Sequence, residues 1–296
     1  MYSLMTPFNI IGFVGVGVMG EPMCRHLATK SGSTILASDL DPQPLKRLAE
    51  FDVRSSSIDQ IARSADIVFL SLPSGEVVEN LVFNEGLLEK GRSGQVIVDL
   101  STSPVDTTRK VGEALAARGM LFADAPVMRT RAAAEAGTLA VPVGADEALF
   151  ARIEPYIRMF ASDVIHAGGI GAGQVVKILN NMVLYETVLA LSEARAIGAR
   201  AGVDPEKLFS ALSIGSADSF ALRNHGMKAI ARQEFPLRTF PVTYARKDLM
   251  YAVALGEQMG VDATGAKNLI ACFDRAIEAG HGEKYAPAIS LVFEGK

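Results

Sequence analysis

Apolar residues fall at two different spacings along this chain, and the change from one to the other divides it. From Ile10 to about residue 168, short apolar runs alternate with stretches in which apolar residues recur every three or four positions. The runs Ile10-Ile-Gly-Phe-Val-Gly15, Thr34-Ile-Leu-Ala-Ser-Asp39, Asp66-Ile-Val-Phe-Leu-Ser-Leu72 and Gln95-Val-Ile-Val-Asp-Leu100 are nearly continuous. They predict strands buried on both faces. Helical periodicity between them, as over Val105–Arg118, makes this a parallel sheet wound with helices. Leu121–Asp124, Leu139–Val143 and Asp163–His166 predict further strands. At Ala167-Gly-Gly-Ile-Gly-Ala-Gly173 the sheet pattern stops, and from Gln174 the chain reads as helix. The first helix spans Gln174–Ala201 and ends near Gly202-Val-Asp-Pro205. Others are expected over Pro205–Ile214, Phe220–Arg232, Tyr244–Met259 and Thr264–Ala279. Two domains follow: an α/β domain at 1–170 with a doubly wound sheet, then an all-α domain at 171–296, joined by the long helix.

Composition narrows the classes. Hydrophobic residues make up 49% of the 296 and charged residues 21%, a globular balance. A net charge of −4 without any Lys/Arg-rich block argues against a nucleic-acid partner. The opening residues, Met1 to Asn9, carry no basic segment followed by a long apolar core, so no signal peptide is expected. The apolar helix after Gly173 carries Lys177, two asparagines and Glu186, which a lipid-facing span would avoid, so no membrane partner is expected. Cys24 and Cys272 both lie in helical apolar patterns and read as buried thiols of a cytoplasmic protein. The four histidines are scattered without triad or metal-ligand spacing, so no metal site is expected.

The first strand runs into Gly15-Val-Gly17-Val18-Met19-Gly20. Gly15 permits a tight turn, Gly17 lets the backbone approach a pyrophosphate, and Gly20 lets the following helix pack on the strand. The motif gains weight from its context: a buried strand before it, a helix after it, and a second strand ending in Asp39. This is a Rossmann-type dinucleotide site. An acid at the position of Asp39 accepts hydrogen bonds from ribose hydroxyls and repels a 2′-phosphate. Leu40 and Asp41 follow, with no basic residue before Lys46, so the expected cofactor is NAD rather than NADP. Asp39 or Asp41 could instead cap the helix near Pro42.

The run Gly171-Ala-Gly-Gln-Val-Val-Lys177-Ile-Leu-Asn180-Asn181 suggests the chemistry. On a helix, Asn180 and Asn181 return to the side of Lys177. A cationic donor beside neutral amides suits proton exchange with a hydroxyl or carbonyl while hydride moves.

Further signals keep one order: Leu72-Pro73, Asp99-Leu-Ser101-Thr102-x-x-x-Asp106, Asp124-Ala-Pro126-Val127 with Gly137-Thr-Leu139, and Lys247-Asp248. With the glycine loop and the Lys177 segment, the stretch from Ile10 to about Asp248 resembles the β-hydroxyacid dehydrogenases. The resemblance implies an NAD-dependent oxidoreductase interconverting a small 3-hydroxy acid and its semialdehyde or keto form. It makes Lys177 the proton donor and acceptor, reaching the nicotinamide from the helical domain. It makes Ser101, Asn180 and Asn181 substrate contacts. Gly15, Gly17, Val18, Met19, Gly20, Asp39, Leu72, Pro73, Val77, Thr102 and Lys247 become cofactor contacts. A homodimer or homotetramer is expected.

One stretch departs from the family. After Asp124-Ala-Pro-Val127, 3-hydroxyisobutyrate dehydrogenases have Ser-Gly-Gly; this chain has Met128-Arg129-Thr130. Arg129 can clamp an anionic group through two parallel hydrogen bonds, and Thr130 adds a donor. Sulfolactaldehyde reductase is similar here, with Gly-Arg-Thr, but has Ser where this chain has Leu184. A sulfonate substrate held by Arg129 is therefore an alternative reading. A non-catalytic NAD-binding sensor is another, which loss of Lys177 or of Ser101-Thr102 would have favoured. The alternative for Arg129 itself is a surface residue at a helix start.

Overall fold

A computed structural model describes residues 7–237 and 239–294, so most of the opening stretch read above for a signal peptide lies outside the described residues. The chain forms two compact units, Met1–Lys177 and Ile178–Lys296.

The first unit holds an eight-stranded sheet: β1 (Ile10–Val14), β2 (Thr34–Ser38), β3 (Arg54–Ser55), β4 (Ile67–Leu70), β5 (Val96–Asp99), β6 (Leu121–Asp124), β7 (Leu139–Gly144) and β8 (Ala161–Gly168). Their order is β3-β2-β1-β4-β5-β6-β7-β8. The continuous apolar runs are continuous because each central strand feeds two cores. Ile67 and Phe69 of β4 join Phe13, Met23, Leu27 and Phe160 on one face, while Val68 and Leu70 join Ile61, Val111 and Leu115 on the other. Each such burial contributes roughly 1.5–3 kcal/mol. β1 pairs in parallel with both β2 and β4, and the chain winds outward from it in both directions. Connections leaving β1 and β4 therefore diverge, the topology at which open α/β sheets bind ligands beyond the carboxyl ends of their strands.

The sheet is not parallel throughout. β7 runs antiparallel to β6, and β8 pairs in parallel with β7, so both are reversed relative to the rest. The reason is length. Met128 already bridges Ala140, leaving residues 129–139 for the connection. That is too short for a crossover helix, and the helix Arg131–Ala136 only turns the chain back. β3 went unforeseen because its two residues are both exposed and have no apolar pattern to betray them.

In the second unit, helices Pro205–Leu212, Val242–Gln258 and Thr264–Glu278 pack around Tyr185, Val188, Phe209, Leu249, Leu269 and Phe273. The expected helix over Phe220–Arg232 is instead a π-helix at Leu222–Ile230, and Ala286–Phe293 adds a 3₁₀ helix. The long helix spans Ala172–Arg200. Its most apolar 18-residue window reaches a mean hydropathy of 1.3, enough by length and composition to cross a membrane. Its Tyr185, Val188 and Leu191 are instead core residues of the second unit. Of the two cysteines, Cys24 is buried as expected, and burial pushes its thiol pKa far up; Cys272 is only half-buried.

The π-helix presents a buried histidine. His225 Nδ1 lies 2.7 Å from the Tyr285 hydroxyl, within hydrogen-bond distance. Burial, with a smaller push from Lys228, lowers the His225 pKa from 6.5 to about 4. The unfolded chain thus binds this proton more readily than the folded one. Stability from this site is present above about pH 6.5 and is lost as pH falls toward 4, by roughly 3 kcal/mol. Thermal melts of wild type and His225→Gln across that range should converge toward the acid end. Parallel pH profiles for the two proteins would refute it.

Candidate active site

The glycine loop follows β1 because only glycine meets two of its demands. Gly15 has φ +88°, and a Cβ there would lie 2.2 Å from the Ser71 carbonyl oxygen. At Gly20 a Cβ would lie 2.0 Å from the Gly15 oxygen, which lets the helix Gly20–Lys30 start against the loop. Gly17 differs: nothing lies within 4 Å of where its Cβ would be. That open space is where the backbone can admit a pyrophosphate. Met19 stands at the helix N-cap without a side-chain hydrogen bond, and Glu21 N–H is held by Gly17 O at 3.0 Å, so the loop runs straight into the helix start. Val18, half-exposed, sits beside it. These residues fit a dinucleotide.

Asp39 lies just beyond β2, partly buried. Its Oδ2 accepts the Val16 N–H at 2.7 Å and its Oδ1 the Asp41 N–H at 2.8 Å. The carboxylate thereby fastens the glycine loop to the end of β2, with a lone pair on each oxygen still able to accept. The helix Pro42–Leu48 is capped by Asp41, which accepts from Gln43 N at 2.9 Å. Asp39 is thus not spent as the cap.

Beyond β4 and β5 the chain ends are tied together. Ser101 is buried; its Oγ accepts the Leu72 N–H at 2.9 Å, and its backbone N–H donates to Asp99 Oδ1 at 2.9 Å. Leu72 and Thr102 are half-buried, and Pro73 and Val77 are exposed at the same edge.

Past β6, Arg129 adopts φ +84°, a left-handed conformation unusual for a side chain other than glycine. Its guanidinium donates to Thr138 O at 2.6 Å and Ser162 Oγ at 2.9 Å, and pairs with Asp163 at 2.8 Å. Arg129 is thus anchored on β8, and the Ser162 hydroxyl, with the Arg129 guanidinium beside it, holds the Asp163 carboxyl below its usual range. Thr130 is exposed at the N-cap of Arg131–Ala136 without a side-chain cap bond.

The long helix begins at Ala172, and Lys177 is the last residue of the first unit, only 8% exposed. Asn180 and Asn181 follow as the helix enters the second. There Asn181 is buried and donates to Asp248 Oδ2 at 2.6 Å, while its oxygen accepts from Asn180 Nδ2 at 3.1 Å. The amide is locked in orientation by a carboxylate that is 1% exposed. The Lys247 ammonium lies 3.3 Å from Asp248 and over the rings of Tyr244 and Tyr251, at 5.6 and 5.2 Å.

Residues 10–169 match the family model for the NAD-binding domain of 6-phosphogluconate dehydrogenase. Residues 171–291 match that for the NAD-binding region of NADP-dependent 3-hydroxyisobutyrate dehydrogenase. The 2-(hydroxymethyl)glutarate dehydrogenase of Eubacterium barkeri is 33% identical over 286 residues, covering 96% of this chain and 94% of its own. The 3-hydroxyisobutyrate dehydrogenase of Pseudomonas aeruginosa is 34% identical over 298 residues, covering 97% and 99%. The chain belongs to the β-hydroxyacid dehydrogenase family. Among solved structures, the Mycobacterium tuberculosis 3-hydroxyisobutyrate dehydrogenase with L-serine superposes with a TM-score of 0.87 at 28% identity, covering 97% of this chain and 99% of that one.

As a β-hydroxyacid dehydrogenase, the chain is an oxidoreductase with a Rossmann-type domain and a helical C-terminal region. In its first unit, hydrogen bonds tie the loop to Asp39, and Leu72 and the first turn of the Lys177 helix to Ser101. Arg129 stands apart, turned toward β8. Sequence reasoning gave no role to Gln174, Asp163 or Asp248. Asp248 had a signal in its place beside Lys247; an exposed aspartate such as Asp163 had none.

Proposed function

We propose that this enzyme uses NAD to interconvert a small 3-hydroxy acid and its semialdehyde or keto form. When bound, the cofactor supplies the hydride acceptor or donor. Lys177 gives its proton to the carbonyl oxygen in reduction and takes one from the hydroxyl in oxidation, and its ammonium offsets oxyanion charge. Asn180 and Asn181 orient substrate or lysine, and Ser101 is read as a further substrate contact. The observation that carries the reading is a buried lysine one turn beyond a helix start that is fastened to the carboxyl ends of β6 and β5. Asp39, with acceptor capacity left on both oxygens and Leu40 and Asp41 next in sequence, supports NAD over NADP. Leu72, Pro73, Val77, Thr102 and Lys247 are read as the remaining cofactor contacts. The enzyme is read as a cytoplasmic homo-oligomer, as the family resemblance and reduced cysteines suggest.

A substrate panel read at the reduced-nicotinamide absorbance tests this, with hydroxyisobutyrate, glycerate, threonate and dihydroxypropanesulfonate, each against NAD and NADP. Turnover of a hydroxy acid with NAD is expected. NADH binding without turnover of any would point to a sensor instead.

Arg129 is read as the anion clamp, exchanging Asp163 for the substrate's acidic group. Arg129→Ala should raise KM and lower kcat/KM by about tenfold to a hundredfold, the equivalent of a charge-assisted hydrogen bond. Cofactor affinity should not change. An unaltered KM would leave Arg129 as a tie between its loop and β8.

A further inference from the structure

Asp124 ends β6 fully buried, and both of its oxygens are taken by the start of the long helix. Oδ1 accepts the Gly171 N–H at 2.6 Å and Oδ2 the Gln174 N–H at 2.8 Å. Two glycines make the space. A Cβ at Gly144 would lie 2.3 Å from Oδ1, and one at Gly173 would lie 2.8 Å from Oδ2 and 2.7 Å from the carbonyl oxygens of Asp124 and Pro142. The carboxylate is therefore walled in, with no slack for the helix start to slide or rotate.

A second fastening uses Gln174 itself. Its Nε2 donates to Ser101 O at 2.8 Å, and its Oε1 accepts the Ser103 N–H at 3.1 Å. Those two serines are in turn held by Asp99, which accepts from Ser101 N at 2.9 Å and from Ser103 Oγ at 3.1 Å. So the first turn is fastened to the end of β6 through backbone N–H groups and to the end of β5 through a side chain. Lys177 lies three residues beyond Gln174, less than one turn away. Burial raises the carboxyl pKa of both Asp99 and Asp124 to about 6. The fold keeps two acids where an apolar pair would be easier to bury, and at Asp124 the helix N-terminus offers the compensation: unpaired N–H groups and a favourable dipole.

We propose that Asp124 and Gln174 are positioning residues that set the rotation and height of Lys177 by clamping the first turn of its helix to the ends of β6 and β5. The inference rests on the reading of Lys177 as the proton-transfer group. Neither residue needs to touch substrate. A lysine displaced by about 1 Å from its productive position loses up to roughly 10² in rate.

Asp124→Asn tests this, because the amide keeps the shape and one acceptor but turns a donor toward the second N–H. The folded variant should lose about tenfold to a hundredfold in kcat, with KM and the NADH dissociation constant within about threefold of wild type. The position of the lysine can be read separately by competitive acetylation and mass spectrometry, with exposed Lys110 as the internal reference. Lys177, 8% exposed in the intact protein, should label at least about threefold faster in the variant as its turn loosens. If Asp124→Asn does not fold, Gln174→Met applies the same two measurements to the other fastening. Unchanged kcat and labelling, or equal losses of NADH binding and turnover, would reduce the clamp to ordinary stability. Lys177→Ala run alongside separates the two claims: full turnover there overturns the role of Lys177 itself, whatever Asp124 does.

Discussion

Lys177→Ala should lose about 10²–10⁴-fold in kcat while binding NADH as wild type does. The magnitude is that of general acid–base assistance removed from a site otherwise intact. Cofactor affinity is expected to persist because the loop and Asp39 lie at the carboxyl ends of β1 and β2, built from other residues. Lys177→Arg refines the result. A guanidinium keeps the positive charge near the oxyanion but does not release a proton at usable pH, so it should recover only part of the loss. Turnover within about tenfold of wild type in Lys177→Ala would remove the lysine from the proton-transfer role.

The second large effect is at Gly17. The space beyond its Cα is open and its backbone needs no left-handed conformation, so Gly17→Val should fold with an unchanged melting temperature. The isopropyl group then stands where a pyrophosphate must approach the backbone. The NADH dissociation constant should rise about 10²-fold or more, some 2.7 kcal/mol. Gly15→Ala gives the contrasting outcome: its φ of +88° and the 2.2 Å approach to Ser71 O put the damage in stability first. Normal NADH affinity in Gly17→Val would mean that the loop is not the phosphate seat.

Much of the site was legible beforehand because its signals are local. Glycine spacing after a buried strand, an acid at the end of the next strand, and a lysine with amides one turn on can all be read within a few residues. What could not be read was how polar groups far apart in sequence satisfy one another. Nothing near Ser101 in the sequence tells that its Oγ accepts the Leu72 N–H. Arg129 looked free to meet an anion, yet it is paired with Asp163, an exposed acid without any sequence signal. The choice between Asp39 and Asp41 as helix cap was open in the sequence, and the Asp41–Gln43 bond decides it.

By itself, the sequence determined the strand and helix periods, the break near residues 167–173, and the dinucleotide loop with its acid. Each follows from hydrophobic spacing or from the steric freedom of glycine, properties carried by neighbouring residues. The tertiary structure decided the reversal of β7 and β8, the π-helix in the second unit, and the burial of Asp99, Asp124 and Asp248 on their partners. These depend on chain segments distant in sequence meeting at one place. Desolvation drives buried carboxylates toward donors there, and no local pattern records which donors they will be.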